Sequence, residues 1–238
     1  CAAIEMRQSW ETVAGLVLNR QNGFQQKTSE RTLTQDLNHL PHPNRHMPGV
    51  FRNKYYLSLQ RPTALWEVSR GCPFSCNFCS IWVFGNSQVR LRSIEETVEG
   101  LAAVPETGVF IVDDHFFVNI RYMKDLGQAI AKANLGKKFQ IQSRADALAK
   151  NPDLIDIWKE AGLHSVFIGL EGHSDVRLQQ VNKESDVATN QLAIQLLKER
   201  GIGIVGNMMV DPKFGQKDFD SLHRYIDQNH YHFATFVI

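Results

Sequence analysis

Three of the four cysteines fall within eight residues, as Cys72, Cys76 and Cys79 of Gly71-Cys-Pro-Phe-Ser-Cys-Asn-Phe-Cys79. Disulfide bonding explains this cluster poorly, because three thiols leave one unpaired and the chain shows no secretory context. A zinc site usually needs four ligands, commonly as two separated pairs, and the sequence has no second cysteine pair. Iron–sulfur ligation is therefore favoured, since thiolates suit such clusters. A zinc site and inert buried thiols stay open as alternatives.

The spacing of the three cysteines also bears on the kind of iron–sulfur chemistry. Bacterial ferredoxins use two-residue gaps and a fourth cysteine followed by proline. Here a three-residue gap comes first and the fourth cysteine is missing. Three thiolates on a four-iron cube would leave one iron open to a substrate or cofactor. The pattern thus favours catalysis over electron storage.

Short apolar runs alternate with helical patterns through residues 62–238, the order typical of repeated strand–helix–strand units. Five helices between six strands predict an α/β fold, specifically a partial (β/α)6 TIM-like barrel with parallel strands. The predicted strands are Thr63–Val68, Val109–Val112, Phe139–Gln142, Ser165–Leu170, Gly203–Val210 and Phe233–Ile238.

Helix boundaries are marked by capping residues. Ser93 with Glu96 forms a capping-box pattern, Asn151 before Pro152 predicts a helix start, and Gly162 predicts its end. The predicted apolar stripes are Ile94, Val98 and Leu101; Leu154, Trp158 and Ala161; Leu192, Leu196 and Leu197; and Leu222, Tyr225 and Ile226.

Polar side chains lie in or just after the last residues of the first five predicted strands, at the barrel end where chemistry takes place in such folds. Each one alone could be a helix cap or an ion pair, but together they indicate a site beside the cysteines. They are Glu67, Ser69 and Arg70; Asp113, Asp114 and His115; Gln142, Ser143, Arg144 and Asp146; Glu171 and His173; and Asn207 and Asp211.

Residues 1–61 differ from the rest of the chain. Asn22-Gly23 predicts a hairpin turn, and Pro41–Pro48 reads as an extended connector. We expect the histidines in and next to this connector (His39, His42 and His46) to be solvated and not to form a metal site.

Composition excludes several classes of protein. The 238 residues carry a net charge of +1, which argues against a nucleic-acid coat protein. No run of 18 apolar residues or signal peptide is present, so we expect a cytoplasmic protein with no transmembrane segment. The chain begins at Cys1 and ends inside an apolar run, so we also expect a fragment of a longer protein.

The cysteine loop at the end of the first strand of a partial barrel resembles the radical S-adenosylmethionine superfamily, over essentially all of 62–238. The resemblance implies that the three thiolates hold a 4Fe-4S cluster whose open iron chelates S-adenosyl-L-methionine. One electron then gives methionine and a 5′-deoxyadenosyl radical that removes hydrogen from the substrate. It also implies an external electron donor such as flavodoxin or ferredoxin.

The same resemblance assigns expected cofactor contacts. Phe78 lies at the family's aromatic position near adenine, and Gly206 with Asn207 lies in the fifth-strand adenine segment. Asp113 and Asp114 replace a Gly-Gly-Glu-type motif that contacts the methionyl amino group. Ser143 and Arg144 are expected to meet the methionyl carboxylate, and Glu171 the ribose hydroxyls.

A narrower resemblance is to the cobalamin-dependent branch, in particular the anaerobic magnesium-protoporphyrin monomethyl ester cyclase and hopanoid C-3 methylase group. It rests on Asp113–Asn119, Ser143–Asp146 and Gly169–Gly172, with Ala14–Leu18 and Asp36–Pro43 upstream. It implies that 1–61 is the tail and linker of an upstream cobalamin-binding domain and that 62–238 is the barrel, ending at the sixth strand. The Asp-x-His-x-x-Gly motif of that domain is absent.

The expected function is thus radical C-methylation or oxidative cyclisation of an unactivated carbon, in a small molecule such as a tetrapyrrole or lipid. Arg70 and Trp82 could contact cobalamin or substrate, although packing explains Trp82 equally well. A radical enzyme without cobalamin and an iron–sulfur electron-transfer protein remain alternatives.

Overall fold

The computed structural model describes residues 6, 9–21, 23–47, 49–57, 60–229 and 233–237. The chain divides into two compact units, residues 1–35 and residues 36–238. The first unit contains an antiparallel hairpin of β1 (Val17–Asn19) and β2 (Gln25–Lys27). The predicted hairpin is therefore present, and Gly23 takes a positive φ of 76° there. Asn22 lies outside the described residues.

The second unit is built on six parallel strands, which confirms the predicted α/β partial barrel. The strands of this unit are β3 Thr63–Trp66, β4 Ser69–Arg70, β5 Arg90–Leu91, β6 Gly108–Ile111, β7 Lys138–Arg144, β8 Leu163–Glu171, β9 Gly203–Met209 and β10 Phe233–Val237. In the parallel sheet, β3 lies at one edge, followed by β6, β7, β8, β9 and β10. A separate two-stranded ribbon pairs β4 with β5.

The first barrel strand is shorter than predicted, ending at Trp66 and not at Val68. The reason is local, because the Val68 backbone N–H donates to the carboxylate of Asp113 (2.8 Å) instead of extending the β3 pairing. The third and fourth barrel strands, β7 and β8, are longer than predicted at both ends.

Helices join the strands and cover the outside of the sheet. Among the described residues the α-helices are α1 Ile81–Phe84, α2 Ile94–Ala102, α3 Ile120–Ala133, α4 Ala145–Lys150, α5 Pro152–Ala161, α6 Asp175–Gln180, α7 Val187–Glu199 and α8 Gln216–Asn229. Short 3-10 turns occur at Trp10–Thr12, Leu37–His39, Gly49–Lys54 and Phe116–Val118. Within the described ranges, each helix is too short or too polar to cross a membrane.

The predicted helix signals are confirmed with two exceptions. Ser93 accepts from the Glu96 backbone N–H (3.2 Å), and Gly162 ends α5 in the left-handed conformation. Asn151 does not cap α5, because its side-chain amide donates instead to the Ala147 carbonyl (2.8 Å). Leu192 is wrong as a core residue, since its side chain is exposed on α7.

The Ser93 cap leads to a testable prediction. Ser93→Ala removes an acceptor for a helix N-terminal N–H and should lower the free energy of unfolding by about 1 kcal/mol in urea titrations. Ser80 is the matched control, because it precedes α1 but makes no side-chain cap bond. A Ser80→Ala loss as large as the Ser93→Ala loss would contradict the assignment.

The hydrophobic core lies between the sheet and its helices. Strand side chains alternate between the two faces, so Phe139 and Ile141 of β7 point to the helices. Trp158 of α5 is fully buried against Phe116 and Phe139, with its indole N–H donating to the Met123 carbonyl (2.9 Å). The opposite, concave face carries the remaining strand residues and is free to form a site.

Residues 36–57, which include most of the predicted connector Pro41–Pro48, belong to the second unit. Leu37 is fully buried, and its carbonyl accepts from the buried guanidinium of Arg92 (2.8 Å). Ser93 N–H likewise donates to the side chain of Asn38 (2.9 Å). The origin of 1–61 in an upstream domain stays a prediction.

His42 is exposed, as expected for a histidine of the connector, but it also contacts the barrel. Its ring stacks on Trp66 with centroids 5.2 Å apart, and its Nε2 lies 2.6 Å from Glu96 Oε1. The connector is thus anchored to the barrel by an aromatic contact that its proline-rich sequence did not reveal.

Candidate active site

The cysteine loop leaves the barrel at the carboxyl end of β3. It lies between β4 and α1, and pairing of β4 with β5 closes the loop at its base. Gly71 opens the loop with φ of 98°, and a Cβ there would lie 2.0 Å from the Gln88 carbonyl oxygen. Only glycine fits this position without moving the backbone.

The three cysteines are free thiols with different burial. Cys76 is buried, whereas Cys72 and Cys79 are half-buried. Burial raises the pKa of the Cys72 thiol above its ordinary value, and the charge of Arg144 acts in the opposite direction. The Cys76 carbonyl also accepts from the indole N–H of Trp82 (3.2 Å), so Trp82 has a structural contact within the loop.

A distant segment, Gln180–Lys183, holds the middle of the cysteine loop, and we call it the clamp segment. Asn77 donates from its backbone N–H to the Val181 carbonyl (3.3 Å) and from its side chain to the Gln180 carbonyl (2.7 Å). Asn182 donates from its side chain to the Ser75 carbonyl (3.0 Å). Sequence reasoning missed the clamp segment entirely.

The two consecutive aspartates after β6 have different environments. Asp113 is fully buried, with Oδ1 accepting from Val68 N–H (2.8 Å) and Oδ2 from the Ser69 hydroxyl (2.6 Å). Burial raises the pKa of Asp113 to about 7. Asp114 is exposed, and its Oδ2 accepts from Gly71 N–H (2.8 Å) at the start of the loop. Asp114 is therefore the carboxylate of the pair that solvent or a ligand can reach.

The raised pKa of Asp113 predicts a pH dependence of stability. The folded chain keeps a proton that the unfolded chain, with a pKa of 3.8, releases. This contribution is complete below about pH 4 and is lost as the pH rises through about 7. Between pH 5 and pH 8, wild type should lose about 1–3 kcal/mol relative to Asp113→Asn in urea unfolding. Parallel curves for the two proteins would contradict the shift.

Ser143 and Arg144 end β7 on opposite faces of the sheet. The register places Arg144 in one row with Gly169, Asn207 and Thr235 on the concave face. Ser143 is buried on the other face, and its hydroxyl donates to the Arg144 carbonyl (3.2 Å). The structure therefore brings Arg144, but not Ser143, to the cysteine loop.

Glu171 lies in a buried polar network at the end of β8. The β8/β9 register shifts between Gly169 and Glu171, and Glu171 takes a φ of 59°. Its Oε1 accepts from Lys183 Nζ (2.9 Å) and its Oε2 from the side chain of Asn207 (3.1 Å). Thr235 in turn donates to Asn207 Oδ1 (3.0 Å). Lys183 was not among the predicted site residues.

Phe78 and Gly206 lie near this network. Phe78 is exposed, with its ring centre 6.0 Å from Lys183 Nζ. Gly206 lies on the helix-facing side of β9, and its carbonyl oxygen lies 3.4 Å from the Thr235 hydroxyl oxygen. A cavity of about 600 Å³ opens beside Glu171 and is lined further by Asn77, Arg177, Val210 and Phe214, among others.

The His115 side chain contacts Phe74 of the cysteine loop. It is buried, its ring contacts Phe74 edge-on at 5.8 Å, and its Nδ1 has no hydrogen-bond partner among the described residues. Burial lowers the pKa of His115 to about 4, so the imidazole is neutral at pH 7.

The donor set fits an iron–sulfur cluster. Three thiols on one loop provide soft ligands, and a cavity lined in part by Asn77 of the loop lies beside it. Across the described residues, no three His, Cys, Asp or Glu side chains are grouped to hold a single metal ion.

A profile of the radical SAM superfamily matches residues 66–226. The chain belongs to the radical SAM superfamily. Members of this superfamily use a 4Fe-4S cluster and S-adenosylmethionine. The match covers the cysteine loop and the whole of barrel strands β6, β7, β8 and β9, in agreement with the resemblance found in the sequence.

Two curated relatives fall in the group named by the narrower resemblance. The hopanoid C-3 methylase of Methylococcus capsulatus is 32% identical over 184 residues, which are 76% of this chain and 36% of that protein. The anaerobic magnesium-protoporphyrin IX monomethyl ester cyclase of Rubrivivax gelatinosus is 31% identical over 151 residues, 62% of this chain and 27% of that protein. The chain thus spans about a third or less of each relative.

Among solved structures, the radical S-adenosylmethionine methyltransferase TsrM from Kitasatospora setae superposes with a TM-score of 0.77 at 13% identity. The superposition covers 100% of this chain and 48% of TsrM. Another structure of TsrM, with a TM-score of 0.72, contains cobalamin and a [4Fe-4S] cluster. At this identity the similarity establishes the fold.

Proposed function

We propose that Cys72, Cys76 and Cys79 bind a 4Fe-4S cluster and that its open iron takes S-adenosyl-L-methionine. The observation that carries the proposal is the single loop of three thiols at the carboxyl ends of parallel strands. When bound, the two cofactors supply one-electron cleavage of the sulfonium and a 5′-deoxyadenosyl radical that abstracts hydrogen. The chain's own residues position the cofactors and exclude water.

We assign the methionyl ammonium to Asp114. Its carboxylate is exposed at the entrance of the loop, where a charge-assisted hydrogen bond can form. Asp113 suits this role less well, because it is fully buried and its pKa lies near 7.

We assign the ribose hydroxyls to Glu171 and Asn207. Both lie in the buried network beside the cavity, and the ion pair with Lys183 keeps the Glu171 carboxylate in place. Phe78 lies near Lys183, and the Gly206 backbone carbonyl lies near Thr235 of the same network. Both remain our candidates for the adenine contacts, Gly206 through its backbone alone. Ser143 is left out of the assignment because its side chain lies on the other face of the sheet.

For the whole protein we propose cobalamin-dependent methylation, or oxidative cyclisation, of an unactivated carbon in a small molecule. Support comes from the relatives, which are named as a hopanoid methylase and a tetrapyrrole ester cyclase. On the same basis we propose a lipid or tetrapyrrole substrate. From membership of the superfamily we also propose a flavodoxin or ferredoxin as electron donor and a cytoplasmic location.

Electron paramagnetic resonance of the anaerobically reconstituted, reduced protein tests the proposal. We expect a 4Fe-4S signal that changes shape when S-adenosylmethionine is added, because the cofactor coordinates the open iron. Asp114→Asn should retain the signal and require about tenfold more S-adenosylmethionine to change it, as expected for loss of a charge-assisted hydrogen bond.

The other outcomes separate the alternatives. A signal indifferent to S-adenosylmethionine would support an electron-transfer protein and contradict the proposal. Stoichiometric zinc without iron would contradict radical chemistry altogether. Cobalamin is tested separately, by its absorbance spectrum in protein isolated from cells supplied with it.

A further inference from the structure

Arg144, the last residue of β7, contacts the cysteine loop and the groups around it. It is buried, and its Nη1 lies 3.5 Å from the sulfur of Cys76. Its Nε donates to Asp146 Oδ1 (2.8 Å), and its Nη2 donates to the Lys183 carbonyl. The guanidinium carbon lies 3.7 Å from the ring centre of Phe74.

These contacts limit what Arg144 can do. A bidentate fork needs two parallel N–H groups directed at one carboxylate. In Arg144 each of the three nitrogens already has a partner, and the stacked Phe74 ring covers one face of the guanidinium. The fork predicted for the methionyl carboxylate is therefore divided, with Nη1 directed at Cys76 and with Nε and Nη2 directed at Asp146 and Lys183.

The contact with Cys76 has an electrostatic consequence. Hydrogen bonds to cysteine sulfur and nearby positive charge stabilise the more negative, reduced form of an iron–sulfur cluster. Cys76 is the most buried of the three cysteines, so solvent screens this interaction little. Asp146 and Lys183 fix the guanidinium so that the N–H stays directed at the sulfur.

We propose that Arg144 is a positioning residue that donates a hydrogen bond to Cys76 and raises the reduction potential of the cluster. The inference rests on the proposed function only in that the three cysteines must carry the cluster. It adds that one barrel residue determines how readily the cluster accepts its electron.

The test is a potentiometric titration followed by electron paramagnetic resonance, without S-adenosylmethionine. The Arg144→Met protein should still assemble the cluster. Its midpoint potential should be more negative than that of wild type by about 59 mV or more, which is at least a tenfold change in the one-electron reduction equilibrium. Arg144→Lys keeps the charge but loses the planar geometry, so it should shift less. Arg200→Met is the charge-matched control, because Arg200 pairs with Asp156 on the helical surface, and it should not shift the midpoint.

An Arg144→Met midpoint equal to wild type, at equal iron content, would overturn the proposal. If the Arg144→Met protein binds no iron, the Arg144→Lys protein is the deciding variant. An Arg144→Lys midpoint potential equal to that of wild type would overturn the proposal, and a more negative one would support it. Weaker S-adenosylmethionine binding with an unchanged midpoint would also overturn it, in favour of a carboxylate contact. Failure of wild type itself to bind a cluster would instead contradict the proposed function.

Discussion

Cys76→Ala is expected to abolish iron binding while leaving the barrel folded. The change removes one of three thiolates, and two thiols on a loop are too few ligands to retain a four-iron cube. Cys76 is also the buried member that contacts Arg144, so neither water nor a neighbouring residue can replace it easily. Iron and sulfide analysis after anaerobic reconstitution measures the loss.

The fold should survive because the loop does not depend on metal for its position. Backbone and side-chain bonds from the clamp segment and from Asp114 already fix it. We expect unchanged far-ultraviolet circular dichroism and a loss of about 1 kcal/mol in urea, typical of one substitution. Cys1→Ala is the control of the same type and should retain full iron content. Unfolding of Cys76→Ala would mean that the cluster is structural, and retained iron would remove Cys76 from the ligands.

The barrel and its cysteine loop could be predicted because their signals are local. Apolar runs, capping residues and the three cysteines each lie within a few neighbouring positions. Parallel strands place their carboxyl ends on one rim, so Asp114, Glu171 and Asn207 could be placed near the loop before any contact was known.

The partners of these residues could not be predicted in the same way. Asn77 contacts Gln180 across 103 positions, and Arg144 contacts Cys76 across 68. Strand alternation alone could have separated Ser143 from Arg144, but the exact end of β7 was needed to apply it. Burial of Asp113 likewise depends on where β3 stops.

The clamp segment couples the two halves of the site. The Lys183 carbonyl accepts from Arg144, whose guanidinium reaches Cys76, while Lys183 Nζ pairs with Glu171. The cysteine loop and the residues assigned to the ribose are thus held by one lysine. The Lys183 ammonium contacts Glu171, whereas the Lys183 backbone carbonyl contacts Arg144. A side-chain substitution therefore removes the contact with Glu171 and keeps the backbone carbonyl.

Lys183→Met should be strongly destabilising. The ion pair of Lys183 and Glu171 is buried, with each side chain 6% exposed. Removing the ammonium leaves a carboxylate whose one remaining hydrogen-bond donor, among the described residues, is Asn207. Breaking a buried pair from one side typically costs about 3–5 kcal/mol. Urea unfolding of the apoprotein at pH 7 measures this effect independently of any cofactor.

Two further variants separate charge from packing. Lys124→Met breaks the ion pair with Asp153, which is 36% and 57% exposed, and should cost about 0–1 kcal/mol. The double variant Lys183→Met/Glu171→Gln removes both charges, so it should recover much of the lost stability. If the double variant were no more stable than Lys183→Met, the loss would come from the methylene packing of Lys183. Recovery, by contrast, would show that the buried Glu171 carboxylate depends on the clamp segment for its counter-charge.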